Sequence, residues 1–223
     1  MNKDYIKVHV HEIFNGEARE NGKLVYIENH EVFFDNDRNL LHAITRYIDT
    51  SGNVLGFLFS DFKKSMNLPE QIFKDERTKA TYGVRYVNEK IVIFSQDEGK
   101  AEISKSLDEM ADKDRIQVGV QGFNYFLTAN AETLPKIQSL PALFIGPGKL
   151  RNYKFGLNYR RKNNDQSVEL DVKIENVFFR FFAPKLEFRY DLNKQRIIRY
   201  KGISNIKTQN GKTMNVVIDY KYS

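Results

Sequence analysis

Three groups of residues in this 223-residue chain have the types and spacing for chemistry. Asp75-Glu76-Arg77, with Asp61 upstream, sets carboxylates beside a guanidinium. Paired carboxylates of this kind can serve acid–base work in a hydrolase. The same pattern arises wherever an arginine–carboxylate fork holds a loop together, and that structural reading is favoured. The four histidines, His9, His11, His30 and His42, form the second group. His9-x-His11 and Glu28-x-His30 each share one face of an extended strand, which a metal could exploit. No helical HExxH spacing accompanies them, so scattered surface histidines are expected instead. The third group is Arg196, Arg199, Tyr200 and Asn205, polar residues that could grip an anionic or hydroxylated ligand. Ligand contacts are therefore assigned to Arg199, Tyr200, Asn205, Asp75 and Arg77. No residue is assigned to catalysis or to a metal, and no cofactor is expected.

Other patterns carry less. Ser204, in Gly-Ile-Ser-Asn-Ile, lacks the second glycine and the sharp turn of a nucleophile elbow. Gly146-Pro147-Gly148-Lys149 lacks Walker spacing, and its proline removes an N–H that a phosphate would need. The absence of cysteine excludes thiolate catalysis, disulfides and thiolate zinc sites. A net charge of +6 favours an acidic partner such as nucleic acid or anionic lipid. The 29 acidic and 35 basic residues are interspersed, however, and a solvated surface explains them. Nucleic acid is not expected, because the aromatics alternate toward a core rather than outward as a stacking platform.

The element that must position the third group is the C-terminal ladder, Leu186 to Tyr222. Leu186, Phe188, Tyr190 and Leu192 alternate with Glu187, Arg189 and Asp191, the period of a half-buried strand. Asn210-Gly211 reads as a two-residue hairpin turn, followed by Met214, Val216, Ile218, Tyr220 and Tyr222 on one face. That turn pairs Ile203 with Ile218. An extra residue at Gly202 would pair Tyr200 with Tyr220 and keep charges off the apolar face. A β-bulge is therefore expected at Lys201–Gly202.

Upstream, residues 1–23 are polar and read as a loosely attached segment. Leu24–Phe34 and Leu40–Asp49 form a hairpin across turn formers, and Val54–Lys63 is a strand with Leu55, Phe57 and Phe59 in phase. Asn67–Arg77 reads as a loop. Thr81–Val87 and Lys90–Gln96 pair across Asn88-Glu89, and Glu98–Asp114 is ambiguous. Arg115–Val120 is extended, and Gly122–Leu134 is a helix stopped by Pro135. Pro141–Leu150 is a loop by its proline and glycine content. Arg151–Arg161 and Ser167–Glu175 form a hairpin, with Tyr153, Phe155, Leu157 and Tyr159 facing Val168, Leu170, Val172 and Ile174. Asn176 could cap a short, Phe-rich helix over Val177–Ala183. Neither a domain linker nor an internal repeat stands out.

The sum is a mainly β chain of roughly ten strands in a single domain spanning residues 1–223. It is a single curved antiparallel meander sheet or partly open barrel, with one or two short helices as a lid. A Greek-key sandwich is the alternative.

Several phrases together resemble an uncharacterised family of exported bacterial proteins. They are Leu24–His30 (LVYIENH), Tyr47–Gly52 (YIDTSG), Asp61–Ser65 (DFKKS), Asp75–Thr78 (DERT), Gly122–Phe126 (GFNYF) and, above all, Arg196–Ile206 (RIIRYKGISNI). The family is in turn distantly similar to lipoprotein carriers of the LolA type. The resemblance implies a non-enzymatic protein of the periplasm, its signal peptide removed, with a cytoplasmic protein as the alternative. Excess aromatic and aliphatic surface in a meander, with short apolar helices that could act as lids, points to an apolar or amphipathic, lipid-like ligand in the concave face of the sheet. The expected partners are a lipid or lipoprotein and a peripheral membrane contact. The rivals are a hydrolase using Asp61, Asp75 and Arg77, and a structural or protein-interaction module.

Overall fold

The computed structural model describes residues 9–107, 115–136, 139–175 and 185–223, with the backbone alone for residues 9–11. Among them lie fifteen strands. β1 is His9–Glu20, β2 Lys23–Phe34, β3 Leu40–Asp49, β4 Val54–Asp61, β5 Glu70–Asp75, β6 Thr81–Val87, β7 Lys90–Gln96 and β8 Ile103–Ser106. β9 is Ile116–Val118, β10 Leu140–Gly146, β11 Arg151–Lys162, β12 Ser167–Ile174, β13 Leu186–Asp191, β14 Arg196–Lys207 and β15 Thr213–Tyr222. One helix, α1, spans Gly122–Asn130, and the chain after it makes a 3-10 turn at Leu134–Lys136 around Pro135.

All fifteen strands belong to one curved sheet, ordered β8 through β1 and then β15 back through β9. The first and last strands therefore pair at its centre, Phe14 opposite Tyr222 and Gly16 opposite Tyr220. This corrects the expectation of a loose N-terminal segment, because residues 9–20 form a strand bonded on both sides. Polar outward residues (Asn15, Glu17, Arg19) had masked the inward set of Phe14, Gly16 and Ala18.

Neighbouring strands run antiparallel except β9 and β10, which are parallel, Gln117 beside Leu143. A parallel pair needs a crossover, and α1 lies within it. Phe123, Phe126 and Leu127 of α1 pack with Phe155, Leu157, Leu170 and Tyr190 of β11–β13. The two wings curl toward each other. Leu68, Val84 and Ile93 share a core with Leu143 and Ile145 of β10, and the ring of Tyr82 lies against Gly148.

The local hairpins follow the sequence reading. In β6–β7, Val84 faces Ile93 and Tyr86 faces Ile91, with Asn88 and Glu89 both at positive φ (48° and 63°), as a type I′ turn requires. In β11–β12, Leu157 faces Val172 and Tyr159 faces Leu170.

Two expected loops are strands. β5 lies inside Asn67–Arg77, and β10 covers the first half of Pro141–Leu150. Each is bonded on both sides, β5 to β4 and β6, and β10 to β9 and β11, a pairing that local composition does not show.

The expected bulge is also corrected. The ladder runs regularly through Gly202, which opposes Val216, while Tyr200 opposes Ile218. The shift falls instead between Ile203, opposite Asn215, and Lys207, opposite Thr213. The turn closes on Thr208 and Lys212, with Gly211 at φ 74°, one residue longer than a two-residue hairpin. That length moves the register and with it the irregularity. Gly202 has a packing role: a Cβ there would stand 2.5 Å from both Leu186 Cδ2 and the Tyr200 hydroxyl. The Phe-rich helix expected over 177–183 falls outside the described residues, as do residues 108–114 of the ambiguous Glu98–Asp114 stretch.

Candidate functional site

The inner wall of the sheet carries a strip of polar side chains built by strand alternation. Tyr26, Glu28 and His30 point inward from β2, Thr45 and Tyr47 from β3, and Ser204 from β14. Glu28 is 4 % exposed. Its Oε2 accepts the Tyr220 hydroxyl at 3.2 Å and lies 3.1 Å from His30 Nε2. His30 Nδ1 is 2.8 Å from Thr45 Oγ1, and Gln121 Nε2, just before α1, donates to that same oxygen at 2.6 Å. With Nδ1 accepting from Thr45, the proton sits on Nε2 and points at Glu28. The chain of bonds thus runs from the start of α1 to a buried carboxylate. The His30 ring is fixed by stacking on Phe14, centroids 4.3 Å apart.

Four phenols surround Glu28. Burial pushes the hydroxyls of Tyr26, Tyr47, Tyr200 and Tyr220 above their ordinary range, and the Glu28 charge pushes them the same way. The shift in β14 puts Ser204 and Asn205 to use here. Ser204 Oγ is 2.8 Å from the Tyr26 hydroxyl and accepts from Ile206 N at 2.9 Å, and Asn205 Nδ2 donates to the Tyr47 hydroxyl at 3.1 Å. These neutral partners keep buried polar groups bonded.

The residues singled out from the sequence separate into two places. Asp75 is buried, with Arg77 Nη2 at 3.0 Å and Nε at 3.3 Å from its carboxylate. Burial alone would raise its pKa, but bonds from the Arg77 side chain and the Arg77 and Thr78 amides outweigh that and hold the carboxyl below the usual range. Arg77 Nη1 also donates to the Lys207 carbonyl at 2.7 Å, tying the end of β5 to the end of β14 near Asn205. Tyr200 lies inside, its hydroxyl donating to the Ile203 carbonyl at 2.8 Å. Arg199 points the other way and pairs with Asp219 at 2.5 Å.

The hydrolase grouping does not assemble. Asp75 opposes Gly56 and Asp61 opposes Glu70, which sets them about 17 Å apart along the strands. His42 stacks on Phe33 at 4.4 Å on the outer face, remote from His30. No group of three or more metal-binding side chains gathers among the described residues.

The concave side is occupied by α1 and by inward side chains of both wings, so α1 fills the curve that it was expected to cover as a lid. An apolar surface lies instead on the outer face. Phe57 and Phe59 were expected to face the core, but Leu58 and Ser60 take the inward positions. Ile44, Arg46, Val54, Phe57 and Phe59 line an outer groove of about 380 Å³. Ile44, Phe59 and Ile72 are direct neighbours across three strands. Lys74 Nζ lies 5.9 Å over the Phe57 ring, and Arg46 pairs with Glu31 beside it. The signal for this surface was the continuous apolar run of Val54–Phe59, too long for a strand with one buried face. The signal for the inner strip was Glu28, a carboxylate in phase with Tyr26 and Val32.

No helix among the described residues is long and apolar enough to cross a membrane. No protein-family model matches the chain, and no curated protein matches it. Among solved structures it is similar to the β-barrel-like protein of the domain of unknown function DUF1849 from Brucella abortus, at 10% identity over 96% of this chain and 95% of that one, with a TM-score of 0.36.

Proposed function

We propose that this is a non-enzymatic binding protein of the bacterial cell envelope, working in the periplasm and holding an amphipathic, lipid-like ligand against its curved sheet. The observation that carries this reading is the outer groove over β3 and β4. Val54 and Ile72 are 46 % and 43 % exposed, and with Ile44, Phe57 and Phe59 they make a contiguous apolar surface. Contiguity of that kind marks an interaction site, whereas single exposed apolar residues do not. A volume of about 380 Å³ suits one chain of a small amphiphile. Arg46 and Lys74 flank the apolar floor, so the fitting ligand has an anionic head. Their existing partners, Glu31 and Glu76, are exposed enough to be exchanged at small cost. The ligand belongs on this outer face because side chains take up the concave one. Support for the envelope and for export comes from the resemblance of several phrases to an uncharacterised family of exported bacterial proteins.

Native mass spectrometry after purification from a Gram-negative host tests the reading. An amphiphile retained by the native protein and lost from Phe57→Ser/Phe59→Ser is expected. A bare mass, with no uptake of an added anionic amphiphile, overturns it.

A further inference from the structure

Residues 119–121 cross the inner wall from β5 to β3. A Cβ on Gly119 would lie 3.1 Å from Gln71 Oε1 and 3.2 Å from Leu68 Cδ1, so the backbone there rests on Gln71 of β5. Two residues later, Gln121 Nε2 reaches Thr45 of β3. β4 runs between these strands, and its inward residue at this level is Ser60, the direct neighbour of Gln71 on one side and Ala43 on the other. Ala43 contributes only a methyl group, which leaves the space above Ser60 to the crossing segment.

Three side-chain oxygens along this crossing have no protein partner: Ser60 Oγ, Gln71 Oε1 and Gln121 Oε1. Ser60 is 0 % and Gln71 2 % exposed. Buried polar atoms in folded proteins are nearly always bonded, and strands fix Ser60 and Gln71 so that neither can turn to solvent. Two of the three oxygens are amide carbonyls, which only accept, and the third is a hydroxyl, which does both.

We propose that Ser60, Gln71 and Gln121 form a buried binding site for a hydrogen-bond donor of one non-hydrogen atom. The occupant donates to both amide oxygens and is bonded to the Ser60 hydroxyl. Water meets all three demands and sits within the two to four partners usual for an interior water. An ammonium ion shares the donor chemistry, with Ser60 Oγ then accepting. An apolar occupant would leave all three oxygens unpaired. The site joins the start of α1 to β4 and β5, and the Gln121 amide spans both networks: its nitrogen bonds Thr45 and its oxygen bonds the occupant. The helix that fills the curve of the sheet is thus fastened to this wall through a bound molecule as well as directly.

An atomic-resolution crystal structure of the unmodified protein, grown without ammonium salts, is the test. A single density peak within hydrogen-bond distance of all three oxygens is the expected result, and it assigns water. A peak that forms only when ammonium is added assigns the ion. An empty site, or three oxygens bonded to protein atoms, overturns the proposal. A double-mutant cycle supplies an independent check. If Ser60→Ala and Gln71→Leu share an occupant, their shifts in urea midpoint are non-additive, whereas additive shifts overturn it. Should either variant fail to fold, the crystal structure decides.

Discussion

The hydroxyl of Tyr220 on β15 reaches the carboxylate of Glu28 on β2 across an intervening strand, at 3.2 Å. Gly16 of β1 is the direct cross-strand neighbour of both, and its missing side chain opens the path. A Cβ at Gly16 would lie 2.8 Å from both Tyr220 Cε1 and Ile218 Cγ2. The seam between the first and last strands therefore depends on a glycine that no turn requires.

Gly16→Ala is expected to destabilise the fold by about 2 kcal/mol, the usual cost of one surplus methyl in a packed core. Tyr220→Phe should cost about 1 kcal/mol for the lost bond. Because both changes remove the same contact, the double variant should lose less than their sum. Urea midpoints for the three variants check this.

The four phenols around Glu28 make stability sensitive to alkali. Each has a folded-state value raised above its ordinary value of 10.0. An unfolded chain above pH 10 releases protons that the native chain keeps, so stability is intact below about pH 10 and falls as pH rises past it. Tyrosinate absorbance should then appear together with loss of near-ultraviolet circular dichroism. Glu28→Gln removes one cause of the elevation and should let part of the absorbance develop before unfolding.

Asp75 gives the opposite dependence at acid pH. Its folded-state carboxyl lies below the ordinary value of 3.8, so its contribution is present above about pH 4 and fades as pH falls lower. Arg77→Met leaves the carboxylate buried without its fork and should cost about 3 kcal/mol at neutral pH. It should also remove the tie to Lys207. Asp75→Asn should lower neutral stability less and flatten the profile between pH 4 and pH 2, read from thermal midpoints.

The entry to α1 tolerates no side chain. A Cβ on Gly122 would fall 1.8 Å from the Asn67 carbonyl oxygen, a backbone atom that cannot step aside. Gly122→Ala should cost more than about 4 kcal/mol. Phe126→Ala, which leaves a cavity at a fully buried position, should cost about 3–5 kcal/mol. Expression and calorimetry will rank them, and the glycine variant should be the worse.

The sequence alone determined the local part of this fold. Period-two alternation and adjacent turn residues specify the β2–β3, β6–β7 and β11–β12 hairpins, because each pairs residues that neighbour one another along the chain. The 3.6-residue spacing likewise specifies α1, although the helix ends at Asn130, four residues short of the Leu134 that the following proline suggested. Tertiary structure decided what depends on distant partners. β5 and β10 are strands because their neighbours bond them, and β1 is central because β15 closes on it. Phe57 and Phe59 face outward because Leu58 and Ser60 take the inner positions in register with Gln71 and Phe73. Asp75, Arg77 and Asn205 could be named from the sequence, and so could Tyr200, but not that internal bonds would occupy them. The strip from Gln121 to Glu28 and Tyr220 was not legible, since its members lie up to 192 residues apart. Alternation says only that a strand has two faces. Which face turns inward, and what meets it there, is settled when the sheet curls and the chain's first and last strands pair.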